Sequence, residues 1–196
     1  MAQFFLADSA ELFYDIAAAL WILSEVVGAG IIPHLRRQGL KIERRDRGSQ
    51  FLFIGSVLFS IVIAFTFAGS GIALLPGFVS YAGSALMLLG IVIRQWSIAV
   101  LGRFFSPTVG IQKGQKVVDR GPYRLVRHPS YTGAFLIVIG VGLALRSWGA
   151  VLVILVITGL AYRYRMRMEE DVLVSEFGDD YVRYMGRTKR LIPYIL

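Results

Sequence analysis

The densest run of reactive side chains is Arg120-Gly121-Pro122-Tyr123-Arg124-Leu125-Val126-Arg127-His128-Pro129-Ser130-Tyr131-Thr132-Gly133. Pro129 suits the first turn of a helix, where its missing N–H would have no partner anyway, so His128 is expected at the mouth of a helix N-terminus. Free backbone N–H groups and the helix dipole at such a mouth attract a carboxylate or a phosphate. Gly121-Pro122 is a turn that lets backbone approach a ligand. A second set follows on a charged stretch with Arg163, Arg165, Arg167, Glu169, Glu170 and Asp171. An arginine there offers a planar fork that matches the two oxygens of a carboxylate and keeps its proton. The same charges also suit a solvated helix face with ordinary (i, i+4) pairs such as Arg165 with Glu169.

Most of the remaining chain is apolar. Of 196 residues 56% are hydrophobic and 17% charged, and mean hydropathy is +0.62, too apolar for an ordinary soluble domain. The apolar residues fall into blocks of membrane-spanning length. They run from about Leu12 to Pro33, Phe51 to Ala68, Phe78 to Leu101, Ser130 to Leu145 and Trp148 to Tyr162. The last two are short for full spans and form a tight hairpin across Arg146-Ser147. Gly28-Ala29-Gly30 gives the first block a small-residue patch for close helix approach. The polar stretch from Gly102 to Pro129 is too long for a simple connection and is the place to look for chemistry. From Arg163 a charged helix is expected to leave the membrane and end at Gly178.

The fold class predicted is therefore an all-α integral membrane protein of about five transmembrane helices, with a cytosolic C-terminal helix and a long cofactor-binding loop. Residues 1–196 form one membrane domain, with 1–75 as peripheral helices and 76–196 as the catalytic core. Charge sets an orientation. Of 21 Lys and Arg, 19 fall within residues 34–50, 101–130 and 163–196. Five helices with the N-terminus outside bring these segments to one side, which the positive-inside rule makes cytoplasmic. The N-terminus has acids at Asp8, Glu11 and Asp15 in place of a basic signal-peptide region, so the first helix is expected to be retained. Arg94 and Glu25 are charges inside spans, and such groups usually face a cavity or a partner. Without cysteine, and with His34 and His128 far apart, no metal site is expected. The basic segments accompany no nucleic-acid motif, so no nucleic-acid partner is expected.

The order Arg127-His128-Pro129-Ser130-Tyr131-Thr132-Gly133, a helical hairpin, Glu169-Glu170-Asp171-Val172-Leu173, Phe177-Gly178-Asp179-Asp180-Tyr181 and Arg190-Leu191-Ile192-Pro193 resembles the signature of the isoprenylcysteine carboxyl methyltransferases and the similar phospholipid N-methyltransferases. The resemblance covers about residue 100 onward. It implies S-adenosylmethionine as methyl donor, bound on the cytosolic side between the long loop, helix four and the post-membrane helix, and a lipidic substrate entering from the bilayer. On that reading Tyr123 and Tyr131 supply walls and hydroxyl contacts. Gly121 and Pro122 allow backbone approach, and His128, with the nearby N–H groups beyond Pro129, receives the donor's carboxylate. Glu169 or Glu170 takes its amino group or a ribose hydroxyl, with Gln112, Lys113 and Val118 as further loop candidates.

For catalysis, Arg165, Glu169 and Glu170 are the candidates, with Arg165 holding the carboxylate of an isoprenylcysteine-like substrate. A carboxylate is ionised near neutral pH and needs no general base, so positioning is the main task. A phosphatidylethanolamine-type amine would need a base for its ammonium proton, and His128 or a glutamate could serve. Both acceptors stay open at this level, as does which arginine pairs with which glutamate.

Overall fold

The computed structural model describes residues 2–32, 35, 42–44, 48–71 and 74–192, with backbone alone for 2–8 and 42–44. Pro33, His34, Pro193 and the basic residues at 36, 37, 41, 45 and 47 lie outside the described side chains. The chain is an integral membrane protein made almost wholly of helices. Helix α1 (Ala2–Ser24) runs on as a π-helical segment over Glu25–Ile31. Then come α2 (Ser49–Gly69), α3 (Phe78–Leu101), α4 (Pro129–Ala144), α5 (Trp148–Phe177) and α6 (Asp179–Arg187). Among the described residues, four helical stretches are long and apolar enough to cross a membrane: Ser9–Ile31, Ser49–Gly69, Phe78–Phe104 and Trp148–Phe177. The fourth expected span, α4, is apolar but has only 16 residues.

One boundary departs from the sequence reading. The apolar block at Trp148–Tyr162 and the charged stretch from Arg163 are a single 30-residue helix, α5. No glycine or proline interrupts residues 160–177, so hydrogen bonding propagates straight through the change in polarity. At 1.5 Å per residue the helix is about 45 Å long, against a hydrocarbon core of about 30 Å, and its charged second half outruns the apolar layer. It stops at Gly178, whose φ of +52° lies in the left-handed region. A second unexpected element is a short antiparallel ladder. Strand β1 (Ile42–Arg44) pairs with β2 (Gly110–Gln112), Ile42 opposite Gln112 and Arg44 opposite Gly110. It ties the connection before α2 to the long loop.

The tightest helix pair is α3 with α4, and glycine makes it possible. A Cβ at Gly90 would lie 2.6 Å from the Gly133 carbonyl, and one at Gly140 would lie 2.6 Å from the Gly83 carbonyl. Backbone therefore meets backbone at two levels, seven residues apart on each helix, which is the small-residue packing expected in lipid. Helix α1 lies along α3 and α2 along α5. Trp21 packs against two buried clusters, one of Ala64, Val138, Ala150 and Ile154, the other of Ala17, Met87 and Val141.

The two short turns meet on one face. Leu75 N–H donates to the Arg146 carbonyl at 2.7 Å, and Arg146 Nε donates back to the Leu75 carbonyl at 3.0 Å. By the alternation of the helices, the end of α1, the start of α2, the end of α3, the start of α4 and the charged half of α5 gather at the other face. The long loop from Gly102 covers them there.

Candidate active site

A cavity of about 310 Å³ opens among these gathered ends, at the lower end of the usual size for a ligand pocket. Phe53 of α2, Tyr123 of the loop and Tyr131 of α4 give it aromatic walls, and residues 104–110 and 115–118 of the loop close over it. Its charged and titratable lining groups include Glu25, Arg94, Lys116, Arg127, His128, Arg165 and Glu169.

The central arrangement joins α4 to α5. Arg165, 3% exposed, donates from Nε to the Tyr131 hydroxyl at 3.0 Å, and that hydroxyl donates to Glu169 Oε2 at 2.8 Å. Arg165 and Glu169, one helical turn apart, are thus bridged through Tyr131. The guanidinium also donates to Ser49 Oγ at 3.0 Å and to the Pro107 carbonyl, so α2, the loop, α4 and α5 meet on one side chain. The Phe53 ring lies 5.5 Å from its centre, close enough for a cation–π contact.

Glu170 faces another way. It is 3% exposed and accepts from Arg127 Nε at 2.9 Å, from Arg190 Nε at 3.0 Å and Nη2 at 2.5 Å, and pairs with His128 Nε2 at 3.3 Å. Arg127 also donates to the Met185 carbonyl at 3.0 Å and to the Thr188 carbonyl. Backbone bonds run in parallel, from Arg127 N–H to the Lys189 carbonyl at 2.7 Å and from His128 N–H to the Arg190 carbonyl at 3.0 Å. The Tyr184 hydroxyl donates to the Tyr123 carbonyl at 2.7 Å. The chain after α6 is in this way clamped against the entrance to α4. Burial pushes the Tyr123 hydroxyl well above the ordinary tyrosine range, with the Glu169 charge adding to it, and burial does the same for Tyr181 and Tyr184. These phenols stay protonated at neutral pH.

Arg94 of α3 also lines the cavity and pairs through two nitrogens with Glu25, Nη2 reaching Oε2 at 2.7 Å, while Nη1 donates to Ser130 Oγ at 3.0 Å. The two intramembrane charges marked by the sequence are each other's partner.

Of the residues expected from the sequence, Arg165, Glu169, Val118, Tyr123, His128 and Tyr131 come together on the cavity. Gln112, Lys113, Gly121, Pro122, Pro129 and Glu170 are not among its lining residues. Lys113 is exposed beyond β2. Gln112 is buried, and its carboxamide has no hydrogen-bond partner among the described residues. Gly121, at φ +58°, turns toward Val100, which a Cβ would meet at 3.0 Å. Pro129 opens α4 as expected. Sequence reasoning gave no role to Phe53, Ser130 or the backbone of Pro107, and no spacing or motif marks Phe53. Arg127 and Arg190 stand in recognised motifs, but their convergence on Glu170 depends on the docking of α6.

The fold and the site define a multi-pass membrane protein with a mostly apolar cavity at one face, lined by the long loop and by Arg165 and Glu169 of a helix. The chain belongs to the phospholipid methyltransferase family, whose sequence model matches residues 78–180. It is 29% identical over 120 residues to a probable protein-S-isoprenylcysteine O-methyltransferase of Oryza sativa subsp. indica, covering 60% of this chain and 63% of that protein. It is 33% identical over 119 residues to the protein-S-isoprenylcysteine O-methyltransferase of Schizosaccharomyces pombe, covering 59% and 50%. The chain thus spans less than two thirds of the length of these relatives. Among solved structures it is similar in fold to the eukaryotic intramembrane Ras methyltransferase ICMT (isoprenylcysteine carboxyl methyltransferase), at a TM-score of 0.59 and 23% identity, over 70% of this chain and 52% of the other.

Proposed function

We propose that this protein is an S-adenosylmethionine-dependent methyltransferase that methylates the carboxylate of an isoprenylcysteine-like lipidic substrate, with its site facing the cytosol. The observation that carries the proposal is the Arg165–Tyr131–Glu169 chain on the wall of a cavity with aromatic sides. The names of the rice and fission-yeast relatives support the acceptor. The donor has a ring to stack, hydroxyls, an ammonium and a carboxylate, and the cavity residues match that mixture. Tyr123, Tyr131 and Phe53 offer ring faces, Glu169 offers an acceptor for an ammonium or hydroxyl, and Lys116 and His128 offer groups for a carboxylate. When bound, S-adenosylmethionine supplies an electrophilic methyl carbon on a sulfonium.

The chain's own residues then orient and exclude water. Arg165 fixes the Tyr131 hydroxyl and Glu169 in one arrangement and places a buried positive charge beside the acceptor, while the loop at 104–118 covers the site from above. No proton has to leave a carboxylate acceptor, so position and electrostatics carry the rate. The family description favours a second reading, methylation of a phospholipid amine, for which Glu169 or His128 would accept the ammonium proton.

Purified protein given S-adenosylmethionine labelled in its methyl group, with S-prenylcysteine analogues and phosphatidylethanolamine vesicles in parallel, tests both. Base-labile label on the prenylcysteine supports the first reading. Label on the phospholipid amine alone replaces it with the second, and no transfer to either overturns both.

A further inference from the structure

Arg94 presents a two-point carboxylate site to the cavity, and the carboxylate in it belongs to the protein's own Glu25. Nη2 donates to Glu25 Oε2 at 2.7 Å and Nε to Oε1, while Nη1 is held apart by Ser130 Oγ at 3.0 Å and the Ser130 carbonyl at 3.4 Å. The two anchors differ in kind. Ser130 is fixed in the first turn of α4, next to Tyr131. Glu25 begins the π-helical segment of α1, a geometry common where helices carry function. Its side chain is 32% exposed against 16% for Arg94, so it can leave while the guanidinium stays on Ser130. Arg94, Glu25, Ser130 and Tyr131 all line the same cavity.

We infer that the Arg94 fork is a holder of the acceptor's carboxylate and that Glu25 is an internal counter-ion which the acceptor displaces. This rests on the carboxyl-methylation reading above. Without acceptor, Glu25 neutralises a guanidinium that would be costly to leave unpaired inside a span. An entering carboxylate offers the same two oxygens, so one pair replaces another and the main change is that Glu25 moves into water. Helix α1 then sets acceptor affinity, because it supplies the competing anion. A phosphate shares the anionic oxygens that Arg94 recognises, and the comparison below separates the two sources.

The experiment measures thermal unfolding of the full chain in detergent against three probes: an S-prenylcysteine analogue with a free acid, its carboxamide, and phosphatidylethanolamine. Glu25→Ala leaves Arg94 unpaired, so the free acid should bind this variant roughly tenfold more tightly than wild type, the worth of one charge-assisted contact, and raise its melting point further. The carboxamide should shift both alike. In Arg94→Gln the acid should lose its advantage over the carboxamide, and Arg94→Lys should restore part of it. Glu25→Gln carries the comparison if the alanine variant does not fold.

Equal acid shifts in wild type and the Glu25 variant, an acid preference that survives in Arg94→Gln, or a larger shift of the Glu25 variant by phosphatidylethanolamine than by the acid each overturn the inference. Methyl transfer is scored separately. Acid-specific shifts without transfer overturn the carboxyl-methylation reading and leave a carboxylate site at Arg94, whereas transfer with equal shifts overturns the inference alone.

Discussion

Glu169 and Glu170 are neighbours in sequence and face different chemistry. Glu169 reaches the cavity and accepts from the Tyr131 hydroxyl at 2.8 Å, whereas the buried Glu170 is turned away toward Arg127, Arg190 and His128. Adjacent positions on a helix are about 100° apart, so two acids in a row cannot share one face.

Stability and activity should therefore separate between them. Glu170→Ala leaves the buried Arg127 without its carboxylate, at a cost of about 3–5 kcal/mol for breaking such a pair. It should lower the melting temperature by several degrees and free the chain after α6 to early proteolysis. Glu169→Ala should melt close to wild type and lose methyl transfer. Differential scanning fluorimetry with a transfer assay on both variants checks this, and the reverse pattern would exchange their roles.

Much of this was legible because membrane helices announce themselves by length and polarity. The spans, the hairpin turns and the start of α4 at Pro129 follow from apolar blocks, glycine and proline. The charges Arg94 and Glu25 stood out because lipid tolerates so few. The fusion of the fifth span with the charged stretch was hidden, since composition changes at Arg163 while helix propensity does not. The ladder between β1 and β2 was hidden too, because three residues on each side carry no period. Nor could sequence decide that Glu170 turns from the cavity, because that needs the docking of α6 and the path of the chain to Arg190.

The glycine contacts between α3 and α4 differ in kind from the one on α1. Gly90→Ala or Gly140→Ala pushes a methyl into backbone on the facing helix and should destabilise by about 1–3 kcal/mol, the usual cost of overpacking. Gly28→Ala meets only the far end of the Gln95 side chain, which can move, and should cost much less. Melting temperatures of the three variants in one detergent provide the comparison.

The orientation proposed from charge can be read chemically, because the chain has no cysteine and single cysteines label cleanly. Ser70→Cys lies at the turn joined to Arg146 and Asp179→Cys at the start of α6. In sealed, oriented vesicles a membrane-impermeant maleimide should reach one and not the other from a given side, with residue 179 on the cytosolic side. Equal labelling of both from one side contradicts the arrangement.

The Tyr131 hydroxyl is the hinge between Arg165 and Glu169, and its removal tests whether that bridge or the arginine's charge alone matters. Tyr131→Phe keeps the ring wall and deletes two hydrogen bonds to charged partners. The loss of even one such bond costs about 1.5–3 kcal/mol, so turnover should fall by at least roughly 10-fold. Arg165→Lys keeps the charge, but a single ammonium cannot reach Tyr131, Ser49 and Pro107 together. Its kcat should fall further, with donor affinity changed little. The measurements are kcat and KM for both substrates together with donor binding by calorimetry. If Tyr131→Phe retains full kcat while Arg165→Lys does not, the bridge has no part in turnover, and Arg165 acts through Ser49, Pro107 and the acceptor alone.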